Sequence, residues 1–116
     1  MSSAALLASE EAGSLTLGES APAVGHGIVS RAVLFTPELR VTLFNFAAGQ
    51  ALTEHTSTAR ALIQVLTGAG EFTVDGVART LHAGDLLHLP PRAPHAVSAT
   101  EPMTMLLVLA PERKPV

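Results

Sequence analysis

A chain of 116 residues with 47% hydrophobic and 15% charged residues is a single globular domain, neither a disordered segment nor a multidomain assembly. Its seven Lys and Arg are scattered among ten Asp and Glu, for a net charge of -3. This argues against nucleic acid as a partner, because phosphate binding needs clustered cations. The chain has no cysteine, which excludes disulfides, thiol catalysis and thiolate-held zinc.

Residues 1–24 are expected to form an N-terminal tail or first strand, with Leu6 and Leu7 placed to dock on the body. The opening M-S-S-A-A-L-L-A-S-E-E lacks the basic start and long apolar run of a signal peptide. No window has the length and apolarity of a membrane-spanning helix, so the expected location is the cytoplasm, with no membrane partner.

Residues 25–110 alternate strand and turn signals. The stretch 27–35 is β-rich, and Thr36-Pro37-Glu38 is a turn. In 39–46, parity sets Val41, Leu43 and Asn45 on one face and Thr42, Phe44 and Phe46 on the other. Ala47-Ala48-Gly49 ends that strand. The run A-L-I-Q-V-L over 61–66 is a buried strand in which Gln64 faces away from Ala61, Ile63 and Val65. After Gly68-Ala69-Gly70, the segments 71–74 and 77–81 flank Asp75-Gly76. That dipeptide suits a type I′ hairpin turn, which needs positive φ at both central residues. Strands over 86–89, 95–99 and 103–110 complete the set, and 111–116 is a C-terminal tail. Many short strands with turn chemistry between them predict an all-β sandwich or barrel. So little charge on so apolar a chain also predicts a covered surface, and a homodimer interface is the expected cover.

Two stretches resemble the paired motifs of the cupin superfamily. The first motif runs Gly, five residues, His, one, His, three or four, Glu, six, Gly; here the anchors fall on Gly49, His55, Ser57, Ala61 and Gly68. The second runs Gly, five, Pro, one, Gly, two, His, three, Asn; here they fall on Gly84, Pro90, Arg92, His95 and Ala99. The resemblance implies a double-stranded β-helix, a jelly-roll-like barrel that is often dimeric, with a pocket inside one end. It also implies one divalent metal held by two His and a Glu of the first motif and the His of the second. His55 and His95 keep their places, whereas Ser57 and Ala61 replace the second His and the Glu. Small one-domain cupins with the same reduced pattern are similar to this chain, and no well-defined activity attaches to that group.

Two imidazoles supply half of a tetrahedral metal shell. His88, on the strand that leads into the second motif, is the candidate third ligand, against the alternative of a strand histidine packed or at an interface. A bound ion, if any, would be a divalent iron, nickel, zinc or manganese, which these donors do not distinguish. Ser57, Ala61 and Arg60 are the remaining pocket candidates. Arg60 is set to meet an anionic ligand or else is a solvated loop residue. Arg92 in P-P-R-A-P is an exposed turn residue, His82 is solvated and His26 lies in a loop. No Gly-x-Ser-x-Gly elbow supports a serine nucleophile, and no tyrosine is present for acid–base work of the sugar-epimerising kind. The expected function is therefore a small cupin barrel without an assigned reaction, whose pocket is lined by His55 and His95 with or without a metal. The alternatives are a metal-dependent enzyme and a metal-free small-molecule binding or sensor module.

Overall fold

Over Arg60–Thr67, Ala61, Ile63 and Val65 are buried and their neighbours are not, and the same alternation holds in Leu86–Leu89; it is the signature of strands with one face on a core. The computed structural model describes residues 5–20 and 25–112. The remainder of the expected tails, residues 1–4, 21–24 and 113–116, lies outside the described residues. Among the described residues nine strands form: β1 Ile28–Phe35, β2 Arg40–Phe46, β3 Ala51–His55, β4 Arg60–Thr67, β5 Ala69–Val74, β6 Val77–His82, β7 Leu86–Leu89, β8 His95–Ala99 and β9 Met103–Ala110. A four-residue helix, α1, spans Leu17–Ser20. None of the described helical structure is long and apolar enough to cross a membrane.

The strands make two antiparallel sheets, one of five in the order β1-β2-β9-β4-β7 and one of four in the order β3-β8-β5-β6. Together they are a double-stranded β-helix, the fold that the motif resemblance implies. Phe46, Ile63, Val65, Leu89 and Met105 from the larger sheet meet Phe72, Val97 and Ala99 from the smaller one. Phe46, Val65 and Met103 have no exposed surface at all. Burying a side chain of this size contributes about 1.5–3 kcal/mol relative to leaving it in water, so this interior is the main source of stability.

Turn chemistry explains the connections. Thr36 caps the β1–β2 turn, its hydroxyl accepting from the Leu39 amide at 2.9 Å. Asp75 and Gly76 take φ of 50° and 78°, both positive as the type I′ hairpin between β5 and β6 demands. At the other edge, the amides of Leu6 and Leu7 donate to the carbonyls of Ala32 and Val33, so the N-terminal segment lies along β1. β3 stands beyond the break at Ala47-Ala48-Gly49, where the sequence carries no strand signal: four of its five residues are exposed, so it has no buried face to announce it.

Candidate functional site

The site begins with a register. β3 and β8 are paired, and a shift between Leu52 and His55 brings His55 directly opposite His95. The two rings meet edge to face, with centroids 4.2 Å apart and planes at 63°. Each Nδ1 lies against the carbonyl two residues earlier: His55 on Thr53 at 2.8 Å, His95 on Ala93 at 2.9 Å. A carbonyl only accepts, so Nδ1 carries the proton in both rings, and in the neutral form the lone pair is on Nε2. Neither Nε2 has a hydrogen-bond partner among the described residues. His55 is exposed and His95 half-buried.

The pair borders a cavity of about 260 Å³. Leu89, Leu107 and Leu109 of the five-stranded sheet form its opposite wall, with Ala61 and Ala93 beside them. Ser57 is its third polar side chain. The Ser57 hydroxyl accepts from the Ala59 amide at 3.1 Å, and its carbonyl accepts from the Arg92 amide at 2.6 Å. Ser57 thereby turns the chain into β4 and ties that turn to the loop before β8. Ala61, only 4% exposed, presents a methyl group where the family motif has a carboxylate. A hollow of about 410 Å³ lies elsewhere, beside Leu17, Asn45 and Thr104. Thr104 donates to Asn45 there at 3.1 Å, and no titratable side chain among the described residues lines it.

Two expected members of the site are elsewhere. His88 pairs with Leu62 across β7 and β4, and both are exposed, while their neighbours Leu87 and Leu89 face the core. Parity therefore puts His88 on the outer face of the sheet, on the far side from His55 and His95. Arg60 shares that outer face and does not line the cavity; its Nη1 donates to Nε2 of His88 at 2.8 Å. Arg92 is exposed, with a φ of 70°, and forms an ion pair with Glu112 at 2.8 Å. His82 and His26 are exposed and do not line the cavity, and the His82 backbone amide donates to the Asp85 carboxylate at 2.8 Å.

Among the described residues, no three His, Cys, Asp or Glu side chains come together as a metal group. What the site offers a cation is two imidazoles in the Nδ1-anchored tautomer. That arrangement orients imidazoles for ligation through Nε2, but it provides half of a four-coordinate shell. The leucine wall was not foreseen as part of the site. Its signal was the parity of β9, which places Leu107 and Leu109 on the face of their partners Ile63 and Ala61. The Thr53 and Ala93 carbonyls had no signal, since any residue supplies a carbonyl.

A family model described as a cupin domain matches residues 42–109. No curated protein matches the sequence. Among solved structures, the SPY1581 protein of unknown function from Streptococcus pyogenes is 26% identical with a TM-score of 0.83, covering 98% of this chain and 100% of that one. A cupin 2 conserved barrel domain protein from Leptotrichia buccalis is 35% identical with a TM-score of 0.78, over 83% of this chain and 47% of that one. KdgF from a Halomonas species is 29% identical with a TM-score of 0.71, over 76% of this chain and 82% of that one.

Proposed function

The chain belongs to the cupin family, and we propose that it binds a small molecule in the cavity beside His55 and His95. The observation that carries this reading is the pairing of two free Nε2 atoms with an apolar wall at one end of the sheets. Apolar lining with a few convergent polar groups is what ligand sites generally share. A fragment mixture followed by methyl NMR tests it. Shifts should concentrate on Ala61, Leu89, Leu107 and Leu109; shifts confined to other surfaces would remove the cavity as the site.

A second reading is favoured by the Nδ1 bonds themselves: a divalent cation on the two Nε2 atoms, with water or the ligand completing its shell. When bound, such an ion would polarise a ligand oxygen as a Lewis acid. Elemental mass spectrometry of the purified protein decides it. About one ion per chain, lost in His95→Ala, supports the metal; no ion after incubation with iron, nickel or zinc rejects it.

The same proposal pairs the chain as a homodimer. Leu62 and Leu86, 40% and 64% exposed, share the outer face of the five-stranded sheet and support an interface there. Light scattering should give twice the chain mass for the natural protein and the single mass for Leu62→Glu/Leu86→Glu.

A further inference from the structure

We infer that the cavity takes a small, mostly apolar molecule whose polar group is an uncharged hydroxyl, donated to Nε2 of His55 or His95. The inference rests on the reading of this cavity as the binding site and adds the chemical class of the ligand. Size sets the first limit. At about 260 Å³ the cavity falls just below the range of roughly 300–1,000 Å³ that holds drug-sized ligands. An apolar cavity of about 150 Å³ already admits benzene, so one ring with one or two substituents fits.

Charge sets the second limit. Among the described residues, no Lys, Arg, Asp or Glu lines the cavity. Of the described cations, Arg60 and Arg92 flank cavity residues in the chain and are engaged elsewhere, Arg60 with His88 and Arg92 with Glu112. With both rings neutral, a carboxylate or phosphate would face two ring lone pairs and meet no cation among the described residues. An ammonium would leave water for leucine walls and find no carboxylate. A neutral molecule avoids both penalties.

The inventory of donors and acceptors sets the third. With Nδ1–H of each ring already given to a backbone carbonyl, the neutral pair offers two acceptors and no donor. The Ser57 hydroxyl, which accepts from Ala59, keeps its own proton to donate. A ligand hydroxyl satisfies this arrangement from both sides, giving its proton to Nε2 and accepting from Ser57. A ketone or ether leaves both imidazoles unmet, and an amide brings a further polar atom into the leucine wall.

The experiment compares p-cresol, toluene, 4-methylbenzoate and benzylammonium on the full chain in EDTA. The readouts are the methyl resonances of Ala61, Leu89, Leu107 and Leu109 and the ring nitrogens of His55 and His95. The expected result is that toluene and p-cresol both shift the methyls, with p-cresol bound roughly threefold to tenfold more tightly, the range for one hydrogen bond. Only p-cresol should move an Nε2 resonance, and the charged pair should shift nothing at the same concentrations. His95→Phe should narrow or abolish the p-cresol advantage; if that variant fails to fold, the natural chain's four-ligand series decides alone. Equal binding of toluene and p-cresol, or tighter binding of a charged ligand, overturns the hydroxyl while leaving the cavity as a site. An advantage for p-cresol that appears only after zinc is added overturns it too, because the oxygen then goes to a metal. No methyl shift with any of the four removes the cavity itself.

Discussion

Arg92 shows how one residue is held against its own preference. Its φ of 70° is left-handed, a region that costs an L side chain about 1–2 kcal/mol and a glycine almost nothing. The second cupin motif has glycine at this place, and the geometry shows why. The turn hands the Arg92 amide to the Ser57 carbonyl, and its next residue, Ala93, accepts from Nδ1 of His95. The strain is thus spent on orienting an imidazole. The ion pair with Glu112 offsets little, because both side chains are about half exposed or more and such pairs are worth under about 1 kcal/mol. Arg92→Gly and Arg92→Ala lose that pair equally, so the difference between them isolates the backbone. We expect the glycine variant to be the more stable by about 1 kcal/mol in urea unfolding. Equal midpoints and slopes would mean that the turn relaxes to negative φ without cost.

Crossings between the sheets impose stricter demands on the elements. At Gly68, between β4 and β5, φ is 76° and an added Cβ would lie 1.9 Å from the carbonyl oxygen of Pro102. The obstacle is backbone, so no rotamer change relieves it. Gly68→Ala should destabilise the fold by roughly 3 kcal/mol, summing the left-handed penalty and an overpacked contact. Gly70→Ala meets the flexible Met103 sulfur at 2.8 Å and the Ser98 carbonyl oxygen only at 3.0 Å, with no positive φ, and should cost less. Denaturant unfolding of the two variants checks the order, and a Gly68→Ala loss no larger than that of Gly70→Ala would refute it. Strands with a buried face were legible in the sequence: the short apolar run A-L-I-Q-V-L marks β4, and Asp75-Gly76 announces its hairpin. β3 was not legible, because A-L-T-E-H is held by pairing with β8 rather than by burial of its side chains. His88 was undecided for a related reason: both parities of L-L-H-L are apolar. Only the register with β4, which sets Leu89 beside the buried Ala61, turns His88 outward.

At the scale of the molecule, the motif spacing located the end of the barrel where His55 and His95 meet. It did not locate the opposite wall, since Leu107 and Leu109 reach the pair only when the two sheets close. The same closure lines Ser57 and Ala61 along that cavity, at the places where the family motif has its other two ligands. If the barrel retains the geometry of that ligand set, Ser57→His/Ala61→Glu should create a metal site. Ala61 is 4% exposed and borders leucines, so a lone glutamate there is expected to weaken the metal-free variant. A cation removes that penalty and binds only the folded chain. At a hundred times its dissociation constant it returns about 2.7 kcal/mol, or roughly 10 °C in Tm for a domain of this size. Calorimetric titration should give one zinc per chain, at least a hundredfold tighter than in the natural protein, and thermal scans should show zinc raising the Tm of the variant far more than that of the natural chain. A variant that folds yet binds zinc no better would mean that the four positions line one cavity without converging on one point. The present pair would then be a hydrogen-bonding fixture of the pocket wall.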